Sequence, residues 1–314
     1  GGKRDLRIKG ADARLDASRF DLDDTGRQQL QALQQTYFDL HLSQEKRRLA
    51  GELAANYDKS LDTGRLRLKA GDISQVELAR LQIDKSRADN DARQAQADLE
   101  QAQVALAYLL GREREAAQLV AADNWPSLGD APVKRGDLEQ RPDVAAARLR
   151  VAAAEAARDL AKAQKTRDVT LGVQYEHNMQ SEPTNSYGFG VSVPLFIFHE
   201  YEGDIARAEA DLAAARLLYE RTLAQAVGSA DQAVSALRSA EERLRRLEAG
   251  LLADAERVAK AAELAYSRGA MNLMDLLDAR RTLRQIQIET ATARADYAKA
   301  LAAWRLQADY GKTK

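Results

Sequence analysis

The chain of 314 residues carries 47 Lys+Arg against 48 Asp+Glu and contains no cysteine. Near-cancelling charge offers neither the basic surface that nucleic acid requires nor the acidic tail of a disordered segment; the missing thiol excludes disulfides, thiolate metal sites and a cysteine nucleophile. No stretch approaches the roughly 20 consecutive apolar residues of a membrane-spanning helix, so any membrane contact falls to β-strands or to a part of the protein outside this sequence.

Five prolines punctuate the chain, and residues 1–125 and 195–314 contain none. Proline removes a backbone donor and clashes inside a helix, so these Ala-, Leu-, Arg-, Gln- and Glu-rich blocks predict very long helices. The first block predicts a helical hairpin over 1–112. Its turn carries Gly71, free to take the left-handed conformation that stops a helix, then Ser74 and Glu77, an S-x-x-E capping box that starts the next. A linker with Pro126 and Pro132 follows over 113–141, and Pro142 opens a helix predicted over 142–167.

The segment 168–198 changes period. Leu171, Val173 and Tyr175 alternate with Thr170, Gly172, Gln174 and Glu176; Tyr187, Phe189, Val191, Val193 and Leu195 alternate with Gly188, Gly190 and Ser192. With the polar loop Asn178–Ser186 between them, these stretches predict a β-hairpin with one aromatic and aliphatic face and one small, polar face. Such faces suit either a transmembrane barrel strand or a hairpin packed on a soluble core. The rest of the chain offers no second sheet to pack on, and an isolated hairpin is barely stable in water, so the strands are expected to join copies from other chains.

Residues 199–314 predict a second helical hairpin, with a long helix over about 203–266 and a returning helix over about 272–310. At 1.5 Å per residue the former is roughly 95 Å long. Ile205, Leu212, Tyr219, Ala226, Ala233, Ala240 and Leu247 recur every seven residues, with Ala208, Ala215, Thr222, Ser229 and Ala236 as companions. Such a repeat predicts coiled-coil packing with a close neighbour. The turn repeats the earlier stop and start with Gly269, Asn272 and Asp275.

Compared with itself, the chain is one repeat and most of another. At an offset of 197, Ala11, Asp12, Ala13, Leu15 and Ala17 match Ala208, Glu209, Ala210, Leu212 and Ala214. At an offset of 198, Gly71, Glu77 and Leu78 match Gly269, Asp275 and Leu276, and Ala95, Ala97, Asp98, Ala102 and Ala105 match Ala293, Ala295, Asp296, Ala300 and Ala303. Counterparts of 141–198 fall before the sequence begins, so the first copy's helix and β-hairpin, roughly 58 residues, are expected to precede Gly1.

These features together resemble the TolC-like outer-membrane factors of tripartite efflux systems: duplicated long helices, a hairpin ahead of the long helix, R-P-D at Arg141, Pro142 and Asp143, and S-R-G-A-M-N-L-M-D-L-L-D-A over Ser267–Ala279. Gly1-Gly2-Lys3-Arg4 is similar to the stretch after the first barrel hairpin in the CzcC-type heavy-metal branch. The resemblance implies a mainly α homotrimer in the outer membrane of a Gram-negative bacterium. The helical hairpins 1–112 and 199–314 would build a periplasmic α-barrel, 113–141 an equatorial linker, and 168–198 part of a lipid-facing β-barrel. It implies a passive exit duct, without catalytic residue, cofactor or resident metal, coupled through a periplasmic adaptor to a resistance-nodulation-division pump.

The same resemblance implies site residues. Gly71, Asp72 and Ser74, with Gly269, Ala270 and Asn272, would be the tips that dock on the adaptor. Asp275, Asp278 and Tyr266 would line the narrowest point of the tunnel, where the acidic pair favours cations; the first-copy counterparts Glu77 and Arg80 supply no such pair. The family's arginine two residues after Gly269 is Met271 here, which leaves closure to Tyr266, packing and charge repulsion. Capping alone is the competing role for the turn residues, and complementing the helix dipole is the competing role for the aspartates.

Other readings stay open at this point. A periplasmic adaptor would also carry a helical hairpin, but one flanked by soluble β-domains. His41, His177 and His199 are scattered, with no nucleophile beside a base, which argues against an enzyme. Glu176-His177 and His199-Glu200 offer two ligands each where a metal site needs three or four. Divalent metal ions, drugs or a secreted polypeptide would all pass between such walls.

Overall fold

A computed structural model describes residues 2–129, 137–179, 184–195 and 200–307. The elements are α1 (Lys3–Ala70), α2 (Gln75–Leu110), α3 (Pro142–Ala163), β1 (Thr170–Asn178), β2 (Thr184–Ser192), α4 (Glu202–Arg246), α5 (Leu252–Ser267) and α6 (Leu273–Gln307). Short 3-10 turns cover Glu113–Gln118 and Leu138–Gln140. The chain divides into two compact units, Gly1–Gly26 with Asp137–Gly228 and Arg27–Gly136 with Ser229–Lys314, so α1 and α4 contribute to both.

In the first unit α3 lies close against the start of α1. A β-carbon added at Gly10 would stand 3.5 Å from the Ala156 side chain and 3.9 Å from the Ala153 carbonyl, a spacing that small residues permit. Ala145, Ala146, Ala147, Ala153, Ala156 and Ala161 form the buried face of α3. Pro142 occupies the first turn, where its missing donor costs nothing. Beside it Arg141, only 4% exposed, grips Asp143 through two hydrogen bonds of 2.7 and 2.8 Å and donates to the Ala226 carbonyl at 3.4 Å. The R-P-D motif is thus a helix start whose arginine ties α3 to α4.

The hairpin of β1 and β2 is the only sheet among the described residues. Its antiparallel register sets Leu171 opposite Val191, Val173 opposite Phe189 and Tyr175 opposite Tyr187 on one face, with Gly172, Gln174 and Glu176 opposite Gly190, Gly188 and Ser186 on the other. All six apolar side chains are exposed, Phe189 at 83%. The strands reach further toward the turn than the sequence predicts, through Asn178 and from Thr184, because the ladder continues there. At the other end β2 stops at Ser192, so Val193 to Leu195 are not strand. Loop residues 180–183, including Pro183, lie outside the described residues, as do Pro132 and His199.

In the second unit a core joins α1, α2 and α6 around Tyr57, Leu61, Leu81, Ala88, Leu273 and Leu277, with Tyr266 packed on it from α5. Another gathers Leu40, Leu106 and Ala121. The irregular segment after α2 is pinned there: Gln44 accepts from the Ala121 amide at 3.1 Å, Tyr37 donates to Asp123 at 2.8 Å, and the His41 ring lies 3.8 Å from Trp125. Where the sequence predicts one unbroken helix over about 203–266, the structure has α4 and α5 separated by a π-turn at Leu247–Leu251, inside which Gly250 leaves helical angles (φ 174°, ψ −32°). An extra residue in a helix produces such a turn, a feature that side-chain periodicity alone does not reveal.

Candidate functional site

The sequence-predicted site residues fall at two helical turns of the second unit. In the first, Gly71 has φ 83°; its amide donates to the Leu68 carbonyl at 3.1 Å and the Asp72 amide to Arg67 at 2.9 Å. In the second, Gly269 has φ 73°, with Gly269 donating to Tyr266 at 3.1 Å and Ala270 to Ala265 at 2.8 Å. Each is a helix stop of the Schellman kind, in which a left-handed residue turns two amides back onto the last carbonyls.

The following helix starts also correspond. The Ser74 amide donates to Glu77 at 2.7 Å and the Glu77 amide to the Ser74 hydroxyl at 3.2 Å. At the second turn the Asp275 amide donates to the Asn272 side-chain oxygen, and the Asn272 side-chain nitrogen returns a bond to the Asp275 carboxylate, both at 2.9 Å. Accepting hydrogen bonds from the Ser74 backbone and hydroxyl holds the Glu77 carboxyl below its ordinary value. Asp72, Ser74, Gly71, Gly269, Ala270 and Asn272 are all exposed, so these capping bonds leave their outer surfaces free.

Asp275 and Asp278 lie near the start of α6 on its exposed side, while Leu273, Leu276 and Leu277 turn inward with at most 2% exposure. Tyr266 is half-buried. The Arg67 guanidinium carbon stands 4.5 Å from its ring centroid, and Arg67 donates to the Tyr266 carbonyl at 3.4 Å. A cation over a tyrosine face is attracted by the ring quadrupole. Met271 stands where the resemblance implies an arginine, and this contact brings an arginine to Tyr266 from α1 instead.

Further arginines couple the two turns. Arg280 donates to Ser60 on α1 at 2.7 Å and pairs with Glu263 on α5 at 3.1 Å. Arg281 bonds both oxygens of the buried Asp84 at 2.7 and 2.9 Å, and that carboxylate raises the Arg281 pKa. Burial, and then the Asp84 charge, push the Tyr57 phenol up. Arg80 reaches the Met274 sulfur at 3.1 Å. Sequence reasoning missed Arg67, Arg280, Arg281 and Asp84, since lone charges on a long helix look solvated. At the offset of 198 that relates the copies here, Asp84 matches Thr282 and Arg281 matches Ile83, so the duplication gave no signal of the pair.

The two described histidines each bond a residue of another kind. His41 donates from Nε2 to the Asp123 carbonyl at 2.8 Å, and His177 bonds Asn185 across the hairpin at 2.5 Å. Glu200 is exposed and its expected companion His199 is not described. Among the described residues no group of three His, Cys, Asp or Glu side chains converges, and no helix is long and apolar enough to cross a membrane.

With this geometry in view, the model of the "Outer membrane efflux protein" family matches residues 1–112 and 137–306. The chain belongs to that family. The cobalt-zinc-cadmium resistance protein CzcC of Cupriavidus metallidurans is 27% identical over 92% of this chain and 69% of its own. The pyoverdine export outer membrane protein OpmQ of Pseudomonas putida is 26% identical over 88% of this chain, which spans 61% of OpmQ's length. The Campylobacter jejuni CmeC outer membrane channel superposes with a TM-score of 0.82 at 17% identity, over 98% of this chain and 67% of CmeC. The fold is therefore that of the TolC-like channels, and membership places this efflux-family chain in the outer membrane of a Gram-negative cell. Arg141, Pro142 and Asp143 stand inside the matched region, as do both turns.

Proposed function

We propose that this chain is the larger part of one protomer of a trimeric exit duct that passively conducts substrates from a periplasmic adaptor and an inner-membrane resistance-nodulation-division pump to the outside. The observation that carries the reading is the hairpin: an aromatic and aliphatic face of three cross-strand pairs, every side chain more than half exposed, borne by a chain whose other described elements are helices. Copies of the hairpin from three chains, joined by the expected first-copy strands, would close a barrel with that face toward lipid. In this reading 1–112 and 199–314 form the periplasmic α-barrel, 113–141 the equatorial linker and 142–167 the helix that leads into the barrel strands 168–198.

Gly71, Asp72 and Ser74, with Gly269, Ala270 and Asn272, would meet the adaptor. Asp275 and Asp278, repeated in three chains, would make two acidic rings at the periplasmic mouth, with Tyr266 as its movable wall; such rings attract cations and repel anions. Divalent heavy-metal cations are the cargo this charge favours. CzcC is named for resistance to such metals and OpmQ for export of pyoverdine, so an organic cargo is the second reading. The test is the full-length protein reconstituted in planar bilayers. Discrete cation-selective conductance is expected, and changing Asp275 and Asp278 together to Ala should abolish the selectivity and the block by multivalent cations. Selectivity and block that survive this change would sink the acidic-ring assignment; a protein forming no conductance would sink the duct.

A further inference from the structure

A row of arginine contacts runs between α2 and α6. Furthest from the turns, Arg284 pairs with Asp91 at 3.5 Å; nearer, Arg281 holds both oxygens of Asp84 at 2.7 and 2.9 Å. Nearest the turns, Arg80 Nη1 donates to the Met274 sulfur at 3.1 Å. The first two contacts set a guanidinium against a carboxylate. The last sets it against a thioether, which is uncharged and a weak acceptor. Glu77, one helical turn before Arg80, accepts from the Ser74 amide instead, and Arg80 forms no ion pair among the described residues.

A second, independent observation is where sulfur stands in this sequence. There is no cysteine, so a reagent that attacks sulfur meets only Met179, Met271 and Met274. Met274 is 40% exposed and therefore open to such a reagent, while its neighbours Leu273, Leu276 and Leu277 are buried. Its side chain is unbranched, so the terminal atoms can turn without moving those leucines.

We propose that Met274 is an oxidation site whose sulfoxide completes the row of arginine contacts. A hydroperoxide supplies the oxygen. The sulfur lone pair attacks its terminal oxygen, and the S–O bond forms as the O–O bond breaks. The hydroxyl proton passes to the departing oxygen, which leaves as water or an alcohol; sulfur gives up two electrons and the peroxide gains them. The product offers a strongly polar oxygen in place of a weak acceptor. A guanidinium N–H donating to that oxygen makes a charge-assisted bond, shorter and stronger than the contact to sulfur. Oxidation of a core methionine disrupts packing, whereas here it ties the start of α6 more firmly to the start of α2. The inference concerns the contact between the two turns and holds independently of the exit-duct reading.

The experiment treats the full-length protein in detergent with hydrogen peroxide. Mass spectrometry should find one added oxygen on the peptide holding Met274, and backbone hydrogen exchange over 273–280 should slow about threefold, the effect of one charge-assisted bond at an exposed site. A methionine sulfoxide reductase should restore the original rate. Arg80 is exposed and alanine favours helix, so Arg80→Ala keeps the fold; it should take up the oxygen and show no slowing. Met274→Leu should show no slowing either, which separates Met274 from Met179 and Met271. A Met274 that stays reduced while Met179, 83% exposed, is oxidised would overturn the proposal. So would exchange that is unchanged or faster after oxidation, or slowing that persists in Arg80→Ala or Met274→Leu.

Discussion

At the first turn Ser74 and Glu77 exchange hydrogen bonds, at the second Asn272 and Asp275 do so, and both turns are stopped by a left-handed glycine. The helices leading into them are less alike. The first brings Tyr57 and Leu61 into the core, the second Ala255, Ala259 and Ala262; the first is followed by Glu77 and Arg80, the second by Asp275 and Asp278. Backbone reversal imposes the same demands on any tight turn, so its chemistry persists in both copies. Packing and charge answer to neighbours, and there the copies have become different.

The comparison breaks first at the arginines that join the hairpins. Arg281→Ala leaves the buried Asp84 carboxylate with only Arg87, 4.0 Å away, so a loss of about 3 kcal/mol is expected. Asp84→Ala releases an Arg281 that is half exposed and can turn to water, and should cost less, about 1 kcal/mol. Denaturant midpoints of the full-length protein check the order, and an equal or reversed pair of losses would refute the buried-charge account.

Cavities come next. Leu81→Ala or Leu277→Ala should each cost about 3 kcal/mol, since both sit at 1% exposure in the shared core. Ala259→Gly should cost about 1 kcal/mol, the helix propensity difference. Thermal unfolding of the three variants sharpens the contrast between the large side chains of the shared core and the alanine row of α5; similar shifts for all three would erase it.

At the turns, Gly71→Val and Gly269→Val each force a branched residue into the left-handed region, for about 1 to 2 kcal/mol. A β-carbon at either glycine meets no neighbouring atom, so crowding adds nothing. If these tips dock on the adaptor, efflux should fall while trimer and expression persist; collapse of expression would leave them the capping role alone.

The smallest effect separates the caps. Ser74→Ala and Asn272→Ala should each cost about 1 kcal/mol. Because the Glu77 carboxyl lies below its ordinary value in the folded chain, its contribution is fully present above that ordinary value and is lost as pH falls through the folded one. Glu77→Gln should flatten this part of the stability profile, and an acid limb unchanged by the substitution would show that Glu77 does not supply it.

Much of this protein was legible before any coordinates. Proline-free blocks gave the helices, because a missing donor is fatal inside one. Alternation over 168–195 showed the hairpin, because strand side chains point to opposite faces in turn. Gly71, Ser74 and Glu77, with Gly269, Asn272 and Asp275, marked the turns, because stopping and starting a helix requires those residue types. These are local constraints, settled within a few residues along the chain. The tertiary structure alone decided what distance in sequence conceals: Arg67 over Tyr266, and Arg281 on a buried Asp84. The inserted residue was present in the two offsets, 197 and 198, but its place was not, since an alanine-rich helix tolerates an insertion anywhere until a packed neighbour fixes which faces must stay buried.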